Sequence, residues 1–387
     1  MHPEPATPTP LSQLAEAVDH SLRRLAGWAV SGKRWKAKAL LLVLAFCLFR
    51  AFPNYHFLQE PGVAASWRNA AIKSAQPQAD MARLFPKDSH QAKLTFRLTV
   101  PLLARLLSLP TTGLLLLFAA CGVLSLYQIL LVAFRVTGSR ASALWLCLAA
   151  GCTWPGALPF HQLLGGFYDA VALCLLLAAM SVEIPIVAGL CIFAAAWTDE
   201  RALLAAALVF LFELARANRR AKALAIVLGT VAYAATRLYF AAQYSLHTAW
   251  EGTGLSVFLA HVNVAPLGLW SGLGGGWLLV VAALAILLWR GHRALASALL
   301  LTLAAITAAA LCVDDTTRSM AYTLPALLLA ATVVAKSEGA RATERLARIA
   351  ALVCILTPTL FVQSGSLTWL LPFPVQLIRW LLYPRLG

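Results

Sequence analysis

Long apolar runs alternate with short polar links along this chain. The apolar blocks fall at residues 39–52, 111–134, 141–158, 167–182, 184–197, 202–215, 222–241, 273–289, 294–312, 319–335 and 347–363. Helices rise about 1.5 Å per residue, so a hydrocarbon core of roughly 30 Å calls for runs of about this kind. The pattern predicts an all-α, polytopic helical membrane protein with about eleven transmembrane helices. Residues 167–197 decide the count, because one helix over them would reach about 46 Å, too long for that core. "SVEIP" (Ser181–Pro185) offers a turn, and Pro185 can begin a second helix.

The polar links set the expected orientation. "GKRWKAK" precedes the first block, and Arg135, Arg140, "RANRRAK", "RGHR" and "KSEGARATERLAR" fall on the same side of an eleven-span thread. Short basic links mark the cytoplasmic side. The reading is therefore a cytoplasmic N-terminal segment (1–38), a transmembrane helical domain (39–363) and an outer interfacial C-terminal segment (364–387). Arg379, Trp380, Tyr383 and Arg385 would anchor that last segment at the membrane surface. The long first outer loop, 53–110, contains "KDSHQAKLTFRLTVPLLARLL". This reads as an interfacial helix, capped by Asp88 or Ser89, with Lys93 and Arg97 on one face.

Composition agrees. Hydrophobic residues make up 60% and charged residues 12% of the chain, against about 25% charged in a soluble domain. An ordinary soluble domain is excluded. The first thirty-odd residues lack the apolar core of a secretory signal, so the first block is expected to stay as a membrane helix. A net charge of +15 could suggest nucleic acid. The basic residues flank apolar blocks instead of lining a groove, and they read as topology determinants and contacts to membrane lipids. None of the eight cysteines forms a Cys-x-x-Cys pair, so they read as small packing residues. There is no Walker sequence, GxSxG elbow or HExxH motif.

The outer links are the ones with chemistry. In "DDTTR", Asp314 and Asp315 lie four and three residues before Arg318, so either acid can face it on a helix. "WTDER" sets Asp199 and Glu200 beside Arg201, and "HQLLGGFYD" sets His161 ahead of a Gly-Gly turn and Asp169. Each admits a structural role: an interfacial salt bridge, or a carboxylate on the positive end of a helix. Each also admits a functional one. Arg201, Arg318 and the Lys93/Arg97 helix, with His90 nearby, would hold a phosphate, with Asp315 and His161 lining the substrate side. Asp169, Asp199 or Asp314 would act as base or hold a divalent cation.

Many short-looped helices, a long first outer loop and acid/arginine clusters at outer helix ends resemble the GT-C superfamily of membrane glycosyltransferases. That resemblance implies a lipid-linked sugar donor (a polyprenyl phosphate) used at the outer face of a bacterial inner membrane, a carboxylate base, and basic residues on the lipid phosphate. One departure concerns the acid usual at the start of the first outer loop. This chain reads "FRAFPNYHFLQEPG", and its first acid there is Glu60. The segments "SHQAK", "FRL" and "TDERAL" also resemble segments of uncharacterised bacterial membrane proteins, which implies no function. Two other classes remain open: a transporter or lipid flippase, and a non-catalytic membrane component of an envelope-assembly complex.

Overall fold

A computed structural model describes residues 10–53, 55, 61–86, 91–161, 166–216, 219–246, 253–363 and 365–382. Helices α1 (Pro10–Val30) and α2 (Trp35–Arg50) lead into the loop layer, which holds α3 (Pro61–Ala75), α4 (Met81–Leu84) and α5 (Thr99–Leu106). The continuous interfacial helix expected around Lys93–Arg105 is not formed. A short 3-10 turn covers Ala92–Leu94, residues 97–98 belong to no helix, and the helix resumes only at Thr99. The cause is tertiary: the Leu98 amide donates to the Trp197 carbonyl at 2.8 Å, and Arg97 turns into the protein. Lys93 and Arg97 therefore do not share an exposed face. Lys87–His90 lie outside the described residues.

Next come α6 (Thr111–Thr137), α7 (Arg140–Gly151) and α8 (Trp154–Ala157). The block expected as one span over 141–158 is bent by 82° between α7 and the Trp154–Phe160 segment. A side chain at Gly156 would stand 2.5 Å from the Gly151 carbonyl oxygen, so the tight corner needs glycine. Three short helices follow: α9 (Asp169–Ser181), α10 (Pro185–Thr198) and α11 (Ala202–Ala215). The expected break after Ser181 is present, with Pro185 in the first turn of α10.

The chain continues through α12 (Arg220–Gln243), α13 (Leu255–His261), α14 (Ala265–Leu273), α15 (Trp277–Trp289), α16 (Arg293–Leu311), α17 (Thr316–Met320) and α18 (Leu324–Leu356). The glycine run "GGG" makes a 3-10 turn between α14 and α15. Gly339 (φ 81°, ψ 175°) breaks α18 inside the basic link foreseen at 336–348. The last apolar block ends early, because Pro358 cannot continue a helix. Residues Leu360–Gln363 form β1 instead, paired antiparallel with β2 (Ser366–Trp369) ahead of α19 (Phe373–Leu382).

Among the described residues, five helical segments are long and apolar enough to cross a membrane, or six if the bent pair counts as one. The chain thus has the make-up of an all-α membrane protein. Four further apolar blocks form helices of 13 to 16 residues (α2, α9, α10 and α11), reaching only about 20–24 Å. Almost all of α9 and the whole Leu324–Val334 arm of α18 are buried among other helices. By contrast, α12 and α16 expose leucines such as Leu228 and Leu301. The polar ends of α9–α11 are thus set between longer neighbours.

Helices α10 and α12 cross at two glycines. A side chain at Gly229 would meet the Gly189 carbonyl oxygen at 2.3 Å, and backbone cannot swing aside as a flexible side chain can. Gly229→Ala is expected to lower stability by about 1–3 kcal/mol, read as a lower thermal midpoint in detergent, while Gly27→Ala, which has open space, is expected to leave it in place.

Candidate functional site

Four segments far apart in sequence meet at one end of α9–α11. Asp169 is the first residue of α9, Asp199 caps the end of α10, and Arg201 opens α11. Asp315 and Arg318 come from the start of α17, and Arg97 from the loop layer. Local structure aims them. The extended backbone of Asp199 (φ −155°, ψ 128°) ends α10, and its carboxylate folds back to accept from the Arg201 backbone N–H at 3.1 Å.

The side chains form one network. Arg201 grips Asp199 with two prongs, Nε to Oδ1 at 2.8 Å and Nη2 to Oδ2 at 2.7 Å, the strong two-pronged geometry. The same Nη2 donates to Asp169 Oδ1 at 3.0 Å, and Nη1 donates to Ser319 Oγ at 3.0 Å. Arg318 sets Nε 3.0 Å from Asp169 Oδ2 and Nη1 2.6 Å from Asp315 Oδ2. Arg97 completes it, with Nη2 3.1 Å from Asp199 Oδ2 and Nη1 donating to the Gly166 carbonyl at 2.8 Å. Tyr322 donates its hydroxyl to Asp169 Oδ1 at 3.0 Å. The Arg318 guanidinium lies 3.6 Å from the Phe167 ring centre, a cation–π contact.

Electrostatics follow from this geometry. Three guanidiniums face three carboxylates, so the network is formally neutral. Asp169 and Asp199 are fully buried, while Arg201 and Asp315 each keep 15% of their side chains exposed. Burial would push the Asp199 carboxyl up, but Arg201, Arg97 and Arg318 outweigh it and hold it far below the usual carboxylate range. Asp199 therefore stays ionised at neutral pH, a poor base and a firm counter-charge. Asp315 differs: its Oδ1 has no hydrogen-bond partner.

The expected site residues divide clearly. Asp169, Asp199, Arg97, Arg201, Asp315 and Arg318 come together. Asp314 does not join them; its side chain is 45% exposed and its Oδ1 lies 3.9 Å from His261 Nε2. On this short turn Asp315, three residues before Arg318, is the acid that reaches the arginine. His161 is also outside the network. It is buried with Nε2 2.8 Å from the Ala51 carbonyl, and burial lowers its pKa. Lys93 stays partly exposed in its turn and forms no ion pair among the described residues. His90 lies outside the described residues.

Three partners escaped sequence reasoning: Tyr322, Ser319 and Phe167. Phe167 lies inside "HQLLGGFYD", two residues before Asp169, and Tyr322 stands four residues after Arg318, one helical turn beyond "DDTTR". Among the described residues no group of three or more His, Cys, Asp or Glu could hold a metal ion. The arginines around Asp169 and Asp199 also make that pocket hostile to a divalent cation. No family model, curated protein or solved structure matches the chain.

Proposed function

We propose that this chain is a multi-pass GT-C-like glycosyltransferase that takes a sugar from a polyprenyl-phosphate donor at the outer face of a bacterial inner membrane. In this reading the chain threads the membrane about eleven times from a cytoplasmic N-terminus. The observation that carries it is the convergence of residues 97, 169, 199–201 and 315–318 on one buried network with three guanidiniums. Charges buried among apolar helices are rarely there for stability alone, since apolar packing would serve as well.

The geometry suggests a division of labour. Asp169 and Asp199 are fixed counter-charges that aim Arg201 and Arg318. A donor phosphate takes the place of Asp315 on Arg318 Nη1, which frees that carboxylate. The acceptor hydroxyl attacks the anomeric carbon, the carbon–oxygen bond to phosphate breaks, and the leaving phosphate keeps its charge against Arg318 and Arg201. The hydroxyl proton passes to Asp315 or Asp314, the two acids not locked between arginines.

The neutrality of the network favours a second reading, a staple within an envelope-assembly component. Incubating purified protein with a polyprenyl-phosphate sugar separates the two. Transfer is expected in the wild type, with Arg318→Ala reducing it by about 10²–10³-fold and Asp315→Asn also reducing it. A wild type that transfers no sugar leaves the staple.

A further inference from the structure

At the opposite end of α9–α11 lies a second charged centre. Glu183 sits in the α9–α10 turn and accepts from Arg135 through Oε1 and from Arg219 through Oε2. Arg216 approaches the same carboxylate at 3.8 Å, and Arg135 also donates to the Ser181 carbonyl at 2.8 Å. The neighbouring Glu213–Lys222 pair, at 2.7 Å, is neutral in itself. Arg216 also lies 3.6 Å from Glu213, so the four cations Arg135, Arg216, Arg219 and Lys222 face two carboxylates, leaving a formal excess of two positive charges.

We propose that this centre binds the phosphate of an anionic phospholipid, whose acyl chains lie along the exposed apolar faces of α10 and α12. Three guanidiniums carry about fifteen N–H donors against about eight acceptor sites on the Glu183 and Glu213 carboxylates, so donors remain for a phosphate. The centre is reachable: Glu183, Arg135 and Arg219 keep 45%, 36% and 32% of their side chains exposed. Directly beside it, Ile186 and Leu190 on α10 and Leu224 and Leu228 on α12 are all exposed at one-turn spacing. They make an apolar track that begins at the arginines and runs along the Gly189–Gly229 crossing. A free phosphate would use the guanidiniums but leave this track empty, which is why a lipid fits better. Burial would raise the Glu183 carboxyl, but Arg135, Arg219 and Arg216 together hold it below the usual range. Glu183 thus remains a competing anion at neutral pH.

The full-length protein can be reconstituted in nanodiscs of phosphatidylcholine and phosphatidylglycerol in equal parts, and its retained lipid counted by native mass spectrometry. The wild type is expected to keep phosphatidylglycerol in preference to phosphatidylcholine, and to keep it when inorganic phosphate is added. Arg135→Gln and Arg219→Gln are each expected to weaken that preference about fivefold. Glu183→Gln removes the competitor and is expected to strengthen it, a direction that loss of a merely structural contact would not produce. Thermal unfolding of each variant confirms that folded protein is being compared. No preference in the wild type, displacement by inorganic phosphate, or weaker retention in Glu183→Gln would each overturn the proposal.

Discussion

Asp199→Asn is expected to lower stability by about 3–5 kcal/mol, the penalty for breaking a buried ion pair from one side. Asp199 meets Arg201 through two oxygens, Arg97 at 3.1 Å and Arg318 at 3.8 Å. A neutral amide leaves three buried guanidiniums against two carboxylates and turns an NH2 group toward one of them. The same substitution should change the response to acid. The folded carboxyl lies well below the about 3.9 of an unfolded aspartate, so its contribution is complete above that value and fades as pH falls toward the folded one. In the variant this part of the acid limb disappears. Thermal unfolding in detergent across the acid range measures both effects. Adding Arg97→Gln to Asp199→Asn restores the charge balance, so the double variant is expected to be less damaged than the sum of the singles, with a coupling of about 1–3 kcal/mol. Additive losses would mean that the two residues do not act as a pair.

Arg50→Met is the second large effect. Arg50 is buried at the end of α2, and its guanidinium donates to the carbonyls of Cys152 (2.6 Å), Cys354 and Thr357. These carbonyls close α7 and α18, and helix ends leave their last carbonyls without partners inside the helix. One side chain therefore ties the ends of three helices together. Methionine fills much of the volume but donates nothing. Buried carbonyls without donors cost about 1–3 kcal/mol each, so a net loss of about 3 kcal/mol is expected after the apolar gain. Arg50→Lys, with a single nitrogen, is expected to fall between the two. Chemical denaturation of the three proteins side by side measures the order, and equal stability of Met and Arg would remove Arg50 from this role.

Neither the Arg50 contacts nor the shape of the loop layer was legible in sequence. Arg50 reads there as a basic residue at the edge of an apolar block, and its acceptors lie about a hundred and about three hundred residues away. The Lys93–Arg105 stretch has a helical pattern, yet the bond from Leu98 to Trp197 and the pull of Asp199 on Arg97 open it. "SVEIP" was different. Its break is local, a proline after a polar turn, and it appears where the sequence put it.

The clusters "WTDER", "GGFYD" and "DDTTR" were visible as acids and arginines at helix ends, because apolar blocks and their polar boundaries are short-range properties of the chain. Sequence by itself thus determined an all-α membrane protein, the approximate bounds of α2, α6, α9–α12, α15 and α16, and the residues that could form a charged site. Tertiary structure decided that Asp315 and not Asp314 meets Arg318, that Arg97 joins them, and that His161 holds the Ala51 carbonyl instead. It also decided that the site is charge-balanced while the Glu183 centre is not. The physical reason is that, beyond the local Asp315–Arg318 and Asp199–Arg201 contacts, the site's pairings join residues from 32 to 153 positions apart, and only the packing of α9, α10, α11 and α17 brings those ends within hydrogen-bonding distance.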